Sequence, residues 1–367
     1  MIVTVAFTAL LVLHGLLHML GVAKAFGLAE LAGLSPVSRP LGLVWGMAAL
    51  LFLGAALSVW NWPRGWWAMG LMAIALSMVA ILSAWSDARA GVIGNAIVAV
   101  GVVIGFLTYG PFSLRAEYEA DVRNRLQATV VPTRLSETDL ARLPEPVQRY
   151  IRLSGAVGQP RVEHFTVRMH GRIRGGRDDR WMPFTAEQHN FQRDPARLFY
   201  LNASMFGVPI QGYHRYVRST ATMRVKAAAL VRVATESGAE MTQSETVTLF
   251  NDMCLLAPAT LIDPSIVWSM VDALRVRARF ANAGHTIHAD LFFNDAGELT
   301  NFVSNDRYQA GPDGMMRQVS WSTPLSGYRW LGPVRMLSTG EGRWRDAGGD
   351  YPYIQLTIDQ VDYSPPW

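Results

Sequence analysis

The chain changes character at about residue 112, from an almost wholly apolar front part to a rear part in which apolar and polar residues alternate. Four runs in the front part, 2–22, 41–60, 66–85 and 91–109, contain no Asp, Glu, Lys or Arg. A helix of ~20 residues rising ~1.5 Å per residue spans the ~30 Å hydrocarbon core of a bilayer. The sequence therefore predicts four transmembrane helices within residues 1–110.

The charges between these runs bear on orientation. Four spans place both ends of the chain on one side of the membrane, and the basic residues divide almost evenly between the two sides. Lys24 directly follows the first run, whose N-terminal flank carries only the α-amine. Because basic flanks favour the cytoplasm, this favours an extracytoplasmic rear domain. We expect a multi-pass protein of the bacterial inner membrane.

Residues 111–135 are predicted to link the two parts through an amphipathic helix. Leu114, Tyr118, Val122 and Leu126 recur every four residues among charged positions, which places them on one helical face. The tripeptide 130–132, Val-Val-Pro, is expected to end this helix.

Residues 136–367 are predicted to form a soluble, strand-rich domain. Apolar and polar residues alternate along 165–173, which is typical of a strand with one buried and one basic face. Further strands are expected at 181–191, 197–205, 209–218, 223–233, 275–281, 285–294, 298–304, 316–323, 334–337, 342–345 and 353–361.

One helical insert interrupts these strands. Residues 242–245, Thr-Gln-Ser-Glu, resemble a capping box, and Val247, Phe250 and Cys254 follow at helical spacing. Trp268 is expected to anchor the last piece of the insert. The predicted fold class is a four-helix transmembrane bundle followed by an α+β domain with a curved, mainly antiparallel sheet, for which a half-barrel is one form.

Composition limits the chemistry. The net charge is +4 with almost all positive charge on Arg, and Cys254 is the only cysteine, so neither a disulfide within the chain nor a cysteine-based zinc site is possible. The basic face with Arg168, Arg172 and Arg174 lacks interleaved aromatic residues, so we expect a solvated face and no nucleic-acid partner; anionic lipid headgroups are the second interpretation.

Candidate catalytic and metal-binding residues are few. His14 and His18 lie one turn apart on the first helix and are the weak candidates for a haem or metal; hydrogen bonding across the bundle is the favoured interpretation. His189 and His214 are isolated in sequence. Glu245 is attributed to helix capping and Asp263 to an Asp-Pro turn. No catalytic motif, metal or cofactor is predicted, and an enzyme is the less favoured class.

The rear domain is rich in aromatic residues. These residues are core by default, but a curved sheet with a helical lid beside a membrane also suits a lipid or acyl chain. On that interpretation the ligand-binding candidates are Phe199, Tyr213, Phe250, Trp268, Phe293 and Trp321.

Three short segments resemble a bacterial membrane-protein family defined as a domain of unknown function: 143–150 (LPEPVQRY), 184–188 (FTAEQ) and 359–363 (DQVDY). The resemblance covers roughly residues 140–363 and implies no activity. At the level of fold only, the order of elements is similar to the half-barrels of periplasmic lipoprotein carriers.

The favoured hypothesis is a membrane-anchored module that binds a hydrophobic ligand next to the bilayer. The alternatives are an enzyme with a composite site in the same cleft, a haem or metal at the first helix, or a scaffold for other envelope proteins. The expected partners are membrane lipid and a lipid or acyl-chain ligand, and the sequence does not predict the oligomeric state.

Overall fold

The computed structural model describes residues 2–30, 33, 35–126, 133–310 and 315–366. It contains two compact units, which are described separately. The first comprises Met1–Glu117 together with the segments Phe206–Val208 and Ala228–Leu230. The second comprises the remainder of the chain. The expected domain boundaries at 110/111 and 135/136 stay a prediction.

Helices form most of the first unit. They are α1 Ile2–Phe26, α2 Arg39–Asn61, α3 Trp66–Ser83, the single turn α4 Trp85–Ala88 and α5 Gly91–Tyr109. Four of the helices are long and apolar enough to cross a membrane, as predicted from the uncharged runs. Several buried positions are alanines, such as Ala55 and Ala73, and such small residues let helices approach closely in lipid.

Four helices follow: α6 Leu114–Arg125, α7 Glu137–Leu140, α8 Glu145–Leu153 and α9 Ala239–Leu256. The predicted linker helix is α6, and its apolar residues Tyr118 and Val122 are buried. Tyr118 packs on Tyr213 of the sheet, with ring centroids 5.7 Å apart. The expected end of this helix at 130–132 lies outside the described residues.

Strands form the rest of the second unit. They are β1 His164–Ile173, β2 Met182–Phe191, β3 Ala196–Met205, β4 Val208–Val217, β5 Thr220–Ala227, β6 Val231–Ser237, β7 Ile266–Asp272, β8 Arg275–Asn282, β9 His285–Phe293, β10 Leu299–Ser304, β11 Tyr308–Ala310, β12 Met316–Gln318, β13 Ser320–Ser322, β14 Leu325–Ser326, β15 Arg329–Leu331, β16 Val334–Met336, β17 Thr339–Asp346 and β18 Gly349–Ser364.

One large antiparallel sheet organises this unit. Its strand order is β6-β5-β4-β3-β2-β1-β18-β17-β13-β10-β9-β8-β7, with β14 paired to β17. The two edge strands, β6 and β7, are joined in sequence by α9 and the 3₁₀ turn Pro258–Ile262. The helix therefore runs from one edge of the sheet to the other across its inner face. The predicted α+β architecture is confirmed.

The predicted alternation holds along β1. Phe165, Val167 and Met169 are buried on the inner face, whereas His164 and Thr166 face the other way and are half-buried. Because neighbouring strands stay in register, the same two faces continue through β2 and β3.

Three expectations about elements were wrong. The run 223–233 is not one strand, since β5 and β6 are separated by a turn at Ala228–Leu230. The run 316–323 is likewise split between β12 and β13. Trp268 does not end the helical insert but lies in the middle of β7, because Pro264 ends the helical segment and an edge strand follows.

Candidate functional site

The sheet curves around α9, so that its inner face surrounds the helix. Tyr216 on β4 and Asn282 on β8 meet through a hydrogen bond of 2.7 Å between the side-chain amide nitrogen and the phenol oxygen. The hydroxyl of Tyr216 also lies 3.1 Å from Thr246 Oγ1 of α9. The curved sheet thus encloses the helix, and almost every residue from Met241 to Leu256 is buried.

Three of the six predicted ligand-binding residues belong to one aromatic wall on this inner face. Phe250 of α9 stacks on Phe280 at 5.0 Å and lies 6.2 Å from Trp268. Phe302 bridges the wall, since its ring is 5.8 Å from Phe250 and 6.1 Å from Trp321. We refer to Phe250, Trp268, Phe280, Phe302 and Trp321 as the aromatic wall.

The other three predicted residues lie elsewhere. Phe199 is on the inner face but packs 5.6 Å from His214. Phe293 packs 5.8 Å from Tyr150 of α8. Tyr213 is on the outer face, where its hydroxyl donates a 2.7 Å hydrogen bond to Asp121 of α6. The six residues therefore do not form one pocket.

A buried ionic cluster fastens α9 to the sheet. Arg197 of β3 donates from Nε to Asp252 Oδ2 at 2.6 Å and from Nη1 to Glu245 Oε2 at 3.0 Å. Its Nη2 donates to Gln188 Oε1 at 3.1 Å. Glu245 and Asp252 are seven residues apart, about two helical turns, so both face the same strand. We call Arg197, Glu245 and Asp252 the ionic cluster.

The cluster holds two carboxylates around one guanidinium. Burial alone favours a neutral Glu245, but Arg197 and then His214 hold the pKa of Glu245 at about 2. Burial raises the pKa of Asp252, against the attraction of Arg197. Asp252 Oδ2 also accepts a 2.7 Å hydrogen bond from Gln188 Nε2. The ion pairs are therefore complete inside the protein and tie β2 and β3 to α9.

The cluster corrects the interpretation of Glu245 as a capping residue. The helix begins at Ala239 after Gly238, whose φ of 102° favours glycine, so residues 242–245 lie inside the helix. A signal was present in the sequence: Arg197 is a lone charge at the start of an apolar strand, and Glu245 and Asp252 repeat at helical spacing.

Several hydrogen-bond donors at the aromatic wall lack an acceptor in the part of the chain that the structure describes. Among the described residues, nothing accepts from the buried indole N–H groups of Trp268 and Trp321. The same holds for Nε and Nη1 of Arg307, whose guanidinium lies 4.3 Å from the ring of Trp321 and 5.3 Å from that of Trp344. Buried donors without acceptors are costly, so these groups suit a ligand or water that brings oxygen atoms.

The outer face carries a histidine pair, in which His189, although isolated in sequence, contacts His164. His164 Nε2 lies 2.8 Å from His189 Nδ1, and the two rings stack at 5.1 Å with Phe191 beside them. Burial, and then His189, lower the pKa of His164 to about 4. His214 is also partnered, 3.3 Å from Glu245 Oε1.

A cleft of about 630 Å³ opens beside His164. Its charged groups are largely paired with each other, as in Arg125–Asp194 at 3.1 Å and Arg193–Glu163 at 2.8 Å. Two further clefts measure about 560 and 740 Å³. None of the six predicted ligand-binding residues lines any of these three clefts.

The basic strand face also differs from the expectation. Trp181 lies between two of its arginines, with guanidinium-to-ring distances of 4.9 Å for Arg172 and 4.6 Å for Arg174. The aromatic residue comes from the turn before β2, so the alternation within β1 gave no sign of it.

His14 and His18 are hydrogen-bonded within the helical unit. His14 Nε2 lies 2.9 Å from Asn95 Oδ1, and His18 contacts Ser77 Oγ at 2.9 Å and the carbonyl of His14 at 2.8 Å. This is the arrangement favoured from the sequence. In the described part of the chain, no three His, Cys, Asp or Glu residues are grouped to hold a metal ion. A haem or metal at this pair stays a hypothesis.

Comparison with known proteins identifies the family of this chain. The model of a family of unknown function, DUF6544, matches residues 133–356, more than half of the chain. The chain belongs to this family. The match confirms the resemblance expected from the short motifs, although the DUF6544 span ends before the motif at 359–363. No curated protein matches the sequence.

Two solved structures are similar at a low level. One is a putative outer membrane lipoprotein-sorting protein domain from Vibrio parahaemolyticus, with 6% identity, a TM-score of 0.32, and coverage of 55% of this chain and 85% of that one. The other is a DUF1329 family protein from Desulfovibrio piger, with 8% identity, a TM-score of 0.35, and coverage of 63% and 94%. At these scores neither likeness says what this DUF6544 chain binds.

Proposed function

We propose that this protein is a membrane-anchored module that binds a lipid or acyl chain on the inner face of its curved sheet, in the space that α9 occupies in the closed state. The helix is then a lid that carries Phe250, and the surface it uncovers is the part of the aromatic wall on the sheet: Trp268, Phe280, Phe302 and Trp321. We further propose that the chain resides in the bacterial inner membrane with the sheet on the extracytoplasmic side.

The polar character of α9 is the observation that supports this function best. Seven of its fifteen buried residues are polar or charged: Thr242, Ser244, Glu245, Thr246, Thr248, Asn251 and Asp252. Replacing a buried ion pair by apolar groups is often neutral or stabilising, so such contacts are not the strongest way to fasten a core helix. Polar contacts regain water when the helix leaves, which lowers the cost of opening.

The aromatic wall supplies both parts of lipid recognition. The rings of Phe280 and Phe302, which Phe250 of α9 covers in the closed state, offer an apolar surface to an acyl chain. The indole N–H groups of Trp268 and Trp321, which find no acceptor within the described part of the chain, suit ester carbonyl oxygens. Arg307 beside Trp321 suits an anionic headgroup.

The test uses the full-length protein in lipid with a photoactivatable phospholipid that carries its reactive group on the acyl chain. We expect cross-linked peptides from the aromatic wall in addition to those from α1–α5. Cross-links confined to the transmembrane helices, with no lipid retained after detergent exchange, would overturn the proposal.

A matched pair of variants sharpens this test. Trp321→Phe removes one N–H from the wall, and we expect about fivefold weaker lipid retention, the effect of one hydrogen bond. Trp330→Phe changes an exposed tryptophan of the same unit and is expected to have no effect. Equal retention by both variants would contradict the assigned site.

The lid is tested separately by Glu245→Gln, which removes one charge from the ionic cluster and keeps the side-chain shape. We expect faster amide exchange in α9 and faster lipid uptake than in Glu240→Gln, a change at an exposed position of the same helix. A topology reporter fused after Trp367 tests the extracytoplasmic placement.

A further inference from the structure

Two hairpin tips at one end of the sheet are apolar and exposed. The β3–β4 turn contains Phe206, which is 75% exposed, and the β5–β6 turn contains Leu230, which is 67% exposed. Ile210 pairs with Ala227 in the sheet, so both turns lie at the same end. The large exposed apolar residues here are Met205, Phe206, Val208, Leu230, Val231 and Val233.

The backbone of these tips would ordinarily select polar or small residues. Phe206, Ala228 and Ala229 have φ values of 53°, 50° and 57°, in the left-handed region that favours glycine and asparagine. The β4–β5 turn at the opposite end of the same strands has the same left-handed backbone at Arg218 and Ser219, but with polar side chains. Turn geometry therefore does not explain the apolar residues. What distinguishes the apolar turns from the polar one is the end of the sheet on which they lie.

A second observation concerns charge. Lys226 and Arg232 are directly opposite each other on β5 and β6, just behind the β5–β6 tip. Like charges in this position repel each other, and no carboxylate in the described residues forms an ion pair with either. An apolar tip followed by a pair of cations matches the layering of a bilayer surface, with acyl chains inside and anionic headgroups outside.

We propose that the β3–β4 and β5–β6 tips insert into the headgroup–acyl boundary of an anionic lipid bilayer, with Lys226 and Arg232 on the phosphates. The sheet then has a second attachment to the membrane, next to the start of α1, since a Cβ atom on Gly207 would lie 2.7 Å from Val3. This attachment does not depend on whether the inner face binds lipid.

Depth-dependent fluorescence quenching tests the insertion. The variants Phe206→Cys, Leu230→Cys and Ser219→Cys of the full-length protein are each labelled with an environment-sensitive maleimide. Each is reconstituted in phosphatidylglycerol–phosphatidylcholine vesicles that contain a spin-labelled lipid. Burial raises the pKa of the native Cys254 thiol well above its ordinary value, so this residue stays unreactive. We expect blue-shifted, quenched labels at positions 206 and 230, and a water-exposed label at position 219.

Charge variants test the headgroup contact. Lys226→Gln and Arg232→Gln are each expected to weaken the insertion equilibrium about fivefold in anionic vesicles and to leave it unchanged in pure phosphatidylcholine. Arg218→Gln, at the opposite turn, is the matched control. It should leave the insertion equilibrium unchanged in both kinds of vesicle.

A measurement without substitutions guards against misfolded variants. Reaction of the unmodified protein with a headgroup-proximal photoactivatable lipid should label segments 205–208 and 228–233 and leave 218–219 unlabelled. Labels at 206 and 230 as exposed as that at 219, together with no lipid cross-link at either tip, would overturn the proposal.

Discussion

Tyr216 and Asn282 are joined by a 2.7 Å hydrogen bond although eight strands of the sheet lie between theirs: β3, β2, β1, β18, β17, β13, β10 and β9. The bond closes the sheet around α9, and Thr246 of the helix shares the same hydroxyl. One phenol therefore links the two sides of the sheet to the helix between them.

The first prediction concerns this closure. Tyr216→Phe keeps the ring and removes the shared hydroxyl, which should lower the free energy of unfolding by about 1 kcal/mol and speed amide exchange in α9. Tyr353→Phe is the control, because its ring packs on Trp344 and no described residue hydrogen-bonds its hydroxyl. Chemical denaturation in detergent measures both. Identical exchange of α9 in the two variants would contradict the closing role.

The second prediction concerns the ionic cluster. Arg197→Met leaves two buried carboxylates without their cation, so we expect a loss of about 3–5 kcal/mol in the free energy of unfolding. Arg193→Met breaks the exposed pair with Glu163 and should cost less than about 1 kcal/mol. Thermal unfolding followed by circular dichroism compares them.

Partial recovery would identify the cause of the loss at Arg197. Adding Glu245→Gln and Asp252→Asn to Arg197→Met removes the unpaired charges, so the triple variant should be more stable than the single one. If the triple variant is less stable, Arg197 acts mainly through packing, and the electrostatic explanation is wrong.

Local patterns made much of the fold predictable. The four uncharged runs have the length a bilayer requires, and the alternation at Phe165, Val167 and Met169 requires only a sheet with one buried face. The β5–β6 turn was missed because Ala228, Ala229 and Leu230 contain none of the usual turn residues.

The candidate site was less predictable because it depends on contacts between distant segments. Arg197 and Asp252 are 55 residues apart, and Tyr216 and Asn282 are 66 apart. No spacing within one element encodes such pairs. Aromatic content alone could not separate Phe250, Trp268 and Trp321, which lie in one aromatic wall, from Tyr213, which lies on the outer face.

The third prediction concerns pH. The unfolded His164 has the ordinary pKa of 6.5 and the folded one has a pKa of about 4, so below pH 6.5 the unfolded chain binds a proton that the folded chain does not. The contribution of His164 to stability is therefore complete above pH 6.5 and is lost as the pH falls towards 4. Between pH 7.5 and pH 5 the loss should be about 2 kcal/mol.

His164→Phe should flatten this pH dependence, since the phenylalanine ring stacks on Phe191 without titrating. His170→Gln is the control: His170 is exposed on the same strand face and pairs with Asp359 at 2.7 Å. Melting temperatures at pH 7.5 and 5 measure the difference. A wild-type slope retained in His164→Phe would assign the titration to another group.

The last prediction concerns a backbone approach in β1. A Cβ atom on Gly171 would meet the carbonyl oxygen of Gln355 on β18 well inside van der Waals contact, and a backbone oxygen cannot rotate away. Gly171→Ala should therefore force β1 and β18 apart near the centre of the sheet and cost about 2–3 kcal/mol. Gly212→Ala is the matched control within β4, because the nearest atom lies 3.8 Å from its added Cβ. Thermal unfolding compares the stability of the two variants. If Gly171→Ala is as stable as Gly212→Ala, β1 and β18 can accommodate a Cβ atom at position 171 and the prediction is wrong.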